Sequence, residues 1–284
     1  MYIRELFDNK KLVMSAEVFP PKKNGMLEGV IRALKEIKPL DPDYVSITYG
    51  ASGSGGMTTA DVASVVIDAF DMTAVAHMTA VNMTKELLEE RLQMLSRKGV
   101  KSILTLRGDI VEGSRFYDFR HANELAAYIK ERYPEFELLG ACYPEGHPEA
   151  ASLDADIEMV KLKTECGVSH LVTQLFFDNA TFYDFAEKAG KAGINATVSA
   201  GIMPITNTQQ VERIVSMCGV QIPTAFSKIC ANYQGEDLYK AGIDYAIGQI
   251  RDLIDHGVQG IHLYTMNKGD VARAVFSAFE GDRK

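Results

Sequence analysis

Glu17 closes the run LVMSAEVF that begins at residue 12, placing a carboxylate at the end of an otherwise apolar stretch. In an extended chain alternate residues share a face, so Val13, Ser15, Glu17 and Phe19 point one way and Leu12, Met14, Ala16 and Val18 the other. A carboxyl on such a face is either paired with a base as scaffold or kept partly desolvated, with a raised pKa, as a proton donor. Comparable residues close the other apolar runs. Thr48 follows YVSI, His77 interrupts AVAHMTA, and Arg107 and Asp109 flank Gly108 in LTLRGD. Tyr143 and His147 follow ELLGAC, Gln174 lies within HLVTQLFF, and Tyr264 and Lys268 follow GIHL. Gly108 between opposite charges permits close approach of backbone to a ligand, although RGD is also a common turn composition. His77 is either hydrogen-bonded core or a ligand contact. The loop YPEGHPEA at 143–150 is longer and stiffer than a connection needs, which favours a binding role. Lys163, in the stretch KLK, can reach a phosphate or lie on a solvated helix face.

These residues need a frame that brings strand ends together. Eight apolar, β-branched-rich runs start at residues 12, 44, 72, 102, 137, 170, 195 and 260, and the intervals carry helix patterns. Phe182, Phe185, Ala186 and Ala189 form an i, i+3, i+4, i+7 stripe, as do Val211, Ile214, Val215 and Cys218. Thr206 with Gln209 makes a capping-box pattern, Asp154 precedes an acidic first turn, and Gly167 falls where a helix begun at Asp154 would end. Parallel strands buried on both faces read as nearly continuous apolar runs, and eight of them alternating with helices suit an α/β fold of the closed (β/α)8 type, a TIM barrel. The last interval has room for two extra helices before the last strand, about 223–231 and 235–256. An open doubly wound sheet competes, but its G-x-G-x-x-G fingerprint is absent, and the Gly-rich GASGSGGM at 50–57 fits neither that spacing nor that of a P-loop. With no linker or low-complexity tract, residues 1–284 are expected to form one domain. Active sites of such barrels lie at the C-terminal ends of the strands, where the polar residues above are found.

Composition removes several function classes. Thirty Lys and Arg against 38 Asp and Glu give a formal charge of −8, which argues against general affinity for nucleic acid or an anionic membrane surface. An anionic ligand therefore needs a local pocket. Cys142, Cys166, Cys218 and Cys230 form no C-x-x-C pair, and the histidines, His77, His121, His147, His170, His256 and His262, show no metal-ligand spacing. Buried reduced thiols and no metal are expected. The first twelve residues carry five charges and no apolar leader, and no run approaches the ~20 apolar residues of a membrane span, so a cytoplasmic protein is expected.

The motifs resemble those of the methylenetetrahydrofolate reductase family. They occur in collinear order along practically the whole chain: SAEVFPPK at 15–22, YVSITYGA at 44–51, HMTAV at 77–81, LRGD at 106–109, YPEGHPEA, TQLFFDN at 173–179, GIMPIT at 201–206 and HLYTMNK at 262–268. The resemblance implies a flavin-dependent barrel reducing 5,10-methylenetetrahydrofolate to 5-methyltetrahydrofolate in ping-pong order. FAD is the implied cofactor, with FMN as the alternative, and NADH or NADPH the implied electron donor. It makes Glu17 the general acid that protonates N10 of the folate and Asp109 a catalytic carboxylate contacting the pterin beside the flavin. It places Gln174 against folate and nicotinamide, Thr48 against nicotinamide, and Gln210 and Lys268 against folate. Tyr49, Ala51, His77, Arg107, Gly108, Asp109, Ala122, Tyr143, His147, Ala150, Asp156 and Lys163 fall on flavin-contacting positions. A homo-oligomer is also implied. The chain has no counterpart before Lys284 of the eukaryotic regulatory extension, so no inhibition by adenosylmethionine is expected.

Departures from the family pattern bear on the donor. Lys268 replaces a frequent Arg, exchanging a bidentate grip for a point charge. Met159 and Leu162 stand where relatives often hold the adenylate half with polar groups, and Ile214 replaces an aromatic residue that helps to stack NADH. A second reading therefore keeps the folate chemistry but takes electrons from a redox partner subunit. Two readings from other classes are a Schiff-base lyase using Lys228 or Lys163, disfavoured because neither lies at a strand end, and a noncatalytic binding barrel.

Overall fold

The computed structural model describes residues 1–21, 27–49 and 59–283. Its eight strands are β1 (Val13–Val18), β2 (Tyr44–Ile47), β3 (Ala74–Thr79), β4 (Ser102–Leu106), β5 (Glu137–Cys142), β6 (Val168–Thr173), β7 (Thr197–Ile202) and β8 (Gly260–Tyr264). All pair in parallel, each with its neighbours in sequence, and β1 pairs with β8 to close the barrel. The expected fold class is thus observed, and each apolar run overlaps its strand. β3 begins two residues later than its run and β6 two residues earlier, at Val168.

Alternation along the strands separates two cores. Leu12, Met14, Ala16 and Val18 face outward into the large cluster formed with the surrounding helices, together with Val45, Ile47, Ala76, Met78, Ile261 and Leu263. Val13, Tyr44, Val75, Leu104, Leu139 and Val172 face inward and pack with Ile3 and Leu6. At about 1.5–3 kcal/mol for each large apolar side chain removed from water, the outer layer is the principal stabiliser.

Helices α1 (Ile3–Asn9), α2 (Glu28–Ile37), α3 (Thr59–Ser64), α4 (Lys85–Arg97), α5 (Ala122–Arg132), α6 (Leu153–Glu165), α7 (Asn179–Lys191), α8 (Thr208–Cys218), α9 (Thr224–Asn232), α10 (Gly235–Asp255) and α11 (Gly269–Phe276) account for the amphipathic intervals. The two extra helices before β8 are α9 and α10, at the expected places. The caps of α6 and α8 correct the expected ones. Ser152, not Asp154, caps α6 by accepting from Ala155 N, and Asn207, not Thr206, caps α8 by accepting from Gln210 N. A side chain reaching the N–H of the third helical residue fixes the cap, and Ser152 and Asn207 reach it first. Gly167 follows α6 with φ +99°, as a terminating glycine should.

No residue pattern forewarns of α1, which plugs the N-terminal end of the barrel. Its two leading amides, Ile3 N and Arg4 N, donate to the buried carboxylate of Glu137 at 2.5 and 2.8 Å, and Ser102 Oγ donates to the same group at 2.9 Å. An acid at a helix N-terminus satisfies donors that the helix itself leaves open. With that end shut, the barrel opens only at the C-terminal ends of its strands.

Candidate active site

Glu17 is the penultimate residue of β1, and the register sets it beside Ser46 of β2 and Tyr264 of β8. Its buried carboxylate faces two imidazoles: Oε2 lies 3.6 Å from His77 Nε2 and 3.7 Å from His262 Nε2. His262 is fixed from behind by Ser15 Oγ at 2.7 Å on Nδ1 and by Ser46 Oγ at 3.3 Å on Nε2. The backbone of the strand is tied too, since Thr265 Oγ1 donates to Glu17 O at 2.6 Å. Just beyond, Asn267 exchanges hydrogen bonds with Phe19 N and O, at 2.8 and 3.0 Å, and so seams β1 to β8 at the mouth. The inward face expected for Ser15 and Glu17 is the face observed.

Above the apolar plug, the layer of the barrel interior around Glu17 is therefore polar and buried. Burial pushes the His77 imidazole down to about 4, against an upward pull from Glu17. Burial, aided by His262, pushes His170 down to about 3, where its Nε2 meets Ser199 Oγ at 3.0 Å. Both folded values lie below the ordinary value of about 6.5, so below that pH the unfolded chain binds more protons than the folded one. Stability is fully present above about 6.5 and is lost as the pH falls toward 4 and 3. Between pH 7 and 4.5 each histidine is expected to remove roughly 2–3 kcal/mol. Urea unfolding at the two pH values checks this, and His170→Asn should flatten the loss; an equal decline in both proteins would dismiss His170 as a source.

A second group of residues is organised by the loops after β4 and β5. Arg107 makes a bidentate pair with Glu149, Nη1 to Oε2 at 2.6 Å and Nη2 to Oε1 at 2.9 Å, and this bond raises the guanidinium pKa further. Glu149 is exposed, so the pair holds a carboxylate in a place open to solvent. Gly108 adopts φ +87°, a conformation that side chains rarely take, and Asp109 stands exposed next to it. Tyr143 and His147 pack edge to face at 4.8 Å, and burial pushes the Tyr143 phenol up to about 12. His147 N donates to Asp156 Oδ2 at 3.1 Å, and burial raises the Asp156 pKa. Lys163 departs from the solvated-face alternative. Its Nζ turns inward to donate to Ala141 O at 2.8 Å, and burial lowers its pKa against the pull of Cys142 and Asp156.

Across the mouth, Lys268 Nζ donates to Thr206 Oγ1 at 3.0 Å, and that hydroxyl donates to Gln210 Oε1 at 3.0 Å. Gln210 and Lys268, two of the three residues implied for folate, are thus joined through Thr206. Gln174 accepts from Leu175 N through Oε1 at 2.9 Å, which leaves its amide nitrogen available. Tyr264 donates to Thr173 O at 2.7 Å across Gly201, where a Cβ would come within 2.3 Å of that carbonyl. Desolvation, with Glu17 adding to it, holds the Tyr264 phenol well above its ordinary pKa. Leu175, Phe177, Ile205, Ile214, Val220 and Phe226 form an apolar cluster against which Tyr264 and Cys218 pack.

Not every implied residue converges. Thr48 continues the inward face of β2, but Tyr49 turns outward, where Arg91 of α4 lies over its ring at 5.2 Å. Ala122 is buried at the start of α5, and Ala150 is half-buried in its loop. Ala51 and the stretch GASGSGGM lie outside the described residues. Cys142 is buried and the other three thiols are partly exposed, all unpaired. Lys228 is exposed on α9. Among the described residues no cluster of three or more His, Cys, Asp or Glu could hold a metal ion, and no helix is long and apolar enough to cross a membrane. His262 went unassigned in the sequence, although it shares the inward face of GIHLY with Tyr264 and so could have been placed beside Glu17.

A closed parallel barrel with its N-terminal end plugged, and a carboxylate between two histidines at its open end, defines a (β/α)8-barrel enzyme. The profile of the methylenetetrahydrofolate reductase family matches residues 2–280. The chain belongs to this family, whose enzymes reduce methylenetetrahydrofolate. It is 29% identical to 5,10-methylenetetrahydrofolate reductase of Escherichia coli K12 over 264 residues, covering 92% of this chain and 88% of the relative. The enzyme of the same name from the Buchnera aphidicola of Acyrthosiphon pisum is 31% identical over 92% of this chain and 89% of its own. Methylenetetrahydrofolate reductase 1 of Schizosaccharomyces pombe is 31% identical over 91% of this chain, which spans only 44% of that protein. A solved Clostridium thermocellum protein, described as binding two copies of 5-methyl-5,6,7,8-tetrahydrofolic acid, shares the fold with a TM-score of 0.72 at 14% identity, over 98% of this chain and 99% of that one.

Proposed function

We propose that this chain reduces 5,10-methylenetetrahydrofolate to 5-methyltetrahydrofolate in ping-pong order, with bound FAD as cofactor, NADH or NADPH as donor, and Glu17 as general acid. The observation that carries the reading is the Glu17 carboxylate, buried at the open end of the barrel between His77 and His262. The residues present fit a flavin nucleotide. Among the described residues His77 Nε2 is buried without a hydrogen-bond partner, and Arg107 already grips an exposed carboxylate in the two-pronged manner that suits a diphosphate. In a chain of net charge −8, Arg107 and Lys163 are the cations that would offset that anion.

A bound flavin supplies the hydride transfer that no side chain here can perform. Glu17 delivers the proton to folate N10, Lys268 and Gln210 hold the substrate, and the Gln174 amide orients it. The cluster around Phe177 and Phe226 keeps water from the far side of the mouth. The whole chain is read as one barrel domain working in the cytoplasm as a homo-oligomer, in keeping with the family resemblance.

A redox partner subunit as electron source is favoured by one observation. Ile214 is buried within the apolar cluster and offers no aromatic face on which a nicotinamide could stack. Anaerobic titration separates the two donors. The FAD-loaded protein is expected to lose its visible flavin absorbance on addition of NADH or NADPH alone. An oxidised spectrum that persists with both nicotinamides, yet bleaches with 5-methyltetrahydrofolate, would transfer the donor role to a partner. Failure to bind FAD or FMN would end the flavin reading.

A further inference from the structure

We propose that Thr79 is a further cofactor-contacting residue, whose side-chain hydroxyl hydrogen-bonds the polar edge of the flavin ring. This rests on the flavin reading above. Thr79 ends β3 with 8% exposure, and its Oγ1 is buried without any hydrogen-bond partner among the described residues. A hydroxyl taken out of water and left unpaired is costly, so such atoms in folded proteins call for an explanation.

Local structure does not provide a partner and holds the hydroxyl in place. The backbone beyond the strand is satisfied, with Ala80 N donating to Leu106 O and Val81 N to Arg107 O, both at 2.9 Å. The methyl side of Thr79 lies against the backbone of Gly108: a Cβ there would come within 3.0 Å of Thr79 Cβ and 3.2 Å of Cγ2. A β-branched side chain is stiff about χ1, so fixing the methyl against Gly108 fixes the hydroxyl on the other branch. Strand alternation sets its direction. Val75, His77 and Thr79 share one face of β3, and Val75 belongs to the cluster inside the barrel, so the hydroxyl belongs to the inward face at the mouth.

Among the described residues His77 Nε2 is the other buried polar atom on this face without a hydrogen-bond partner. Two orphans two residues apart, flanked by Gly108, form a row of hydrogen-bonding capacity that the protein does not itself fill. A flat heteroaromatic ring with carbonyl and ring-nitrogen atoms along one edge is the chemical class that fills such a row.

The test compares wild type, Thr79→Val and Thr79→Ser by FAD fluorescence titration and by melting of the apoprotein. Valine keeps the shape and removes the hydroxyl. The dissociation constant for FAD is expected to rise about tenfold in Thr79→Val and to stay near wild type in Thr79→Ser. The apoprotein of Thr79→Val should melt about 2 °C or more above wild type, because an unpaired buried hydroxyl has gone. Equal FAD affinity in wild type and Thr79→Val would overturn the proposal while leaving the flavin reading standing. So would weaker binding accompanied by a lower melting point, which marks a purely structural hydroxyl. A wild-type protein that binds neither FAD nor FMN overturns both.

Discussion

Exchanging Glu17 for Gln is expected to slow the folate half of the reaction by about 10²–10⁴-fold while reduction of the bound flavin by nicotinamide stays largely intact. The amide matches the carboxyl in size and can still face His77 and His262, 3.6 and 3.7 Å away in the parent. What it cannot do is give a proton to a weakly basic folate nitrogen. Reduction of the flavin by nicotinamide has no such nitrogen to protonate, so the two half-reactions should separate. Anaerobic stopped-flow measurements with each substrate read them independently. Equal loss of both, or folate turnover at the parent rate, would remove Glu17 from the acid role.

Replacing Glu137 by Ala should cost about 3–5 kcal/mol of stability, the loss expected when a buried charged acceptor is taken away from its donors. Three donors converge on it, Ile3 N, Arg4 N and Ser102 Oγ, and removal leaves all of them facing an apolar cavity. For a chain above 250 residues this corresponds to a fall of roughly 10 °C in the melting temperature. Flavin affinity measured well below the transition should change little, because the carboxylate lies at the closed end of the barrel. A melting temperature unchanged within a degree would show that α1 is held by its apolar contacts alone.

Periodicity made the strands legible. Strand burial is so complete in β1, β2 and β3 that the apolar runs could be read straight from residue types, and their spacing implied the closed order. Short helices carry less signal. The seven residues of α1 are too few for an amphipathic repeat, and the helix depends on a carboxylate 134 residues away from Ile3. Caps moved by one or two residues, because which side chain reaches the first free amide depends on loop geometry that composition does not encode.

The site was legible wherever alternation and residue type agreed. Glu17 lies between His77 and His262 on the inward face, as the pattern requires. Tyr49, assigned by resemblance, follows Thr48 directly and so falls on the outer face, where it meets Arg91. The Arg107–Glu149 pair and the inward turn of Lys163 arise from contacts between separate loops and helices, which a single chain read in order does not reveal.

Closure of the barrel through β1 and β8 has a temporal side. Glu17 precedes His262, Asn267 and Lys268 by 245 residues or more. On the ribosome the carboxylate proposed as acid therefore exists long before the partners that orient it, whereas Arg107, Tyr143 and Lys163 can meet much earlier. Nascent chains should thus acquire an anion-holding surface before they acquire a working acid.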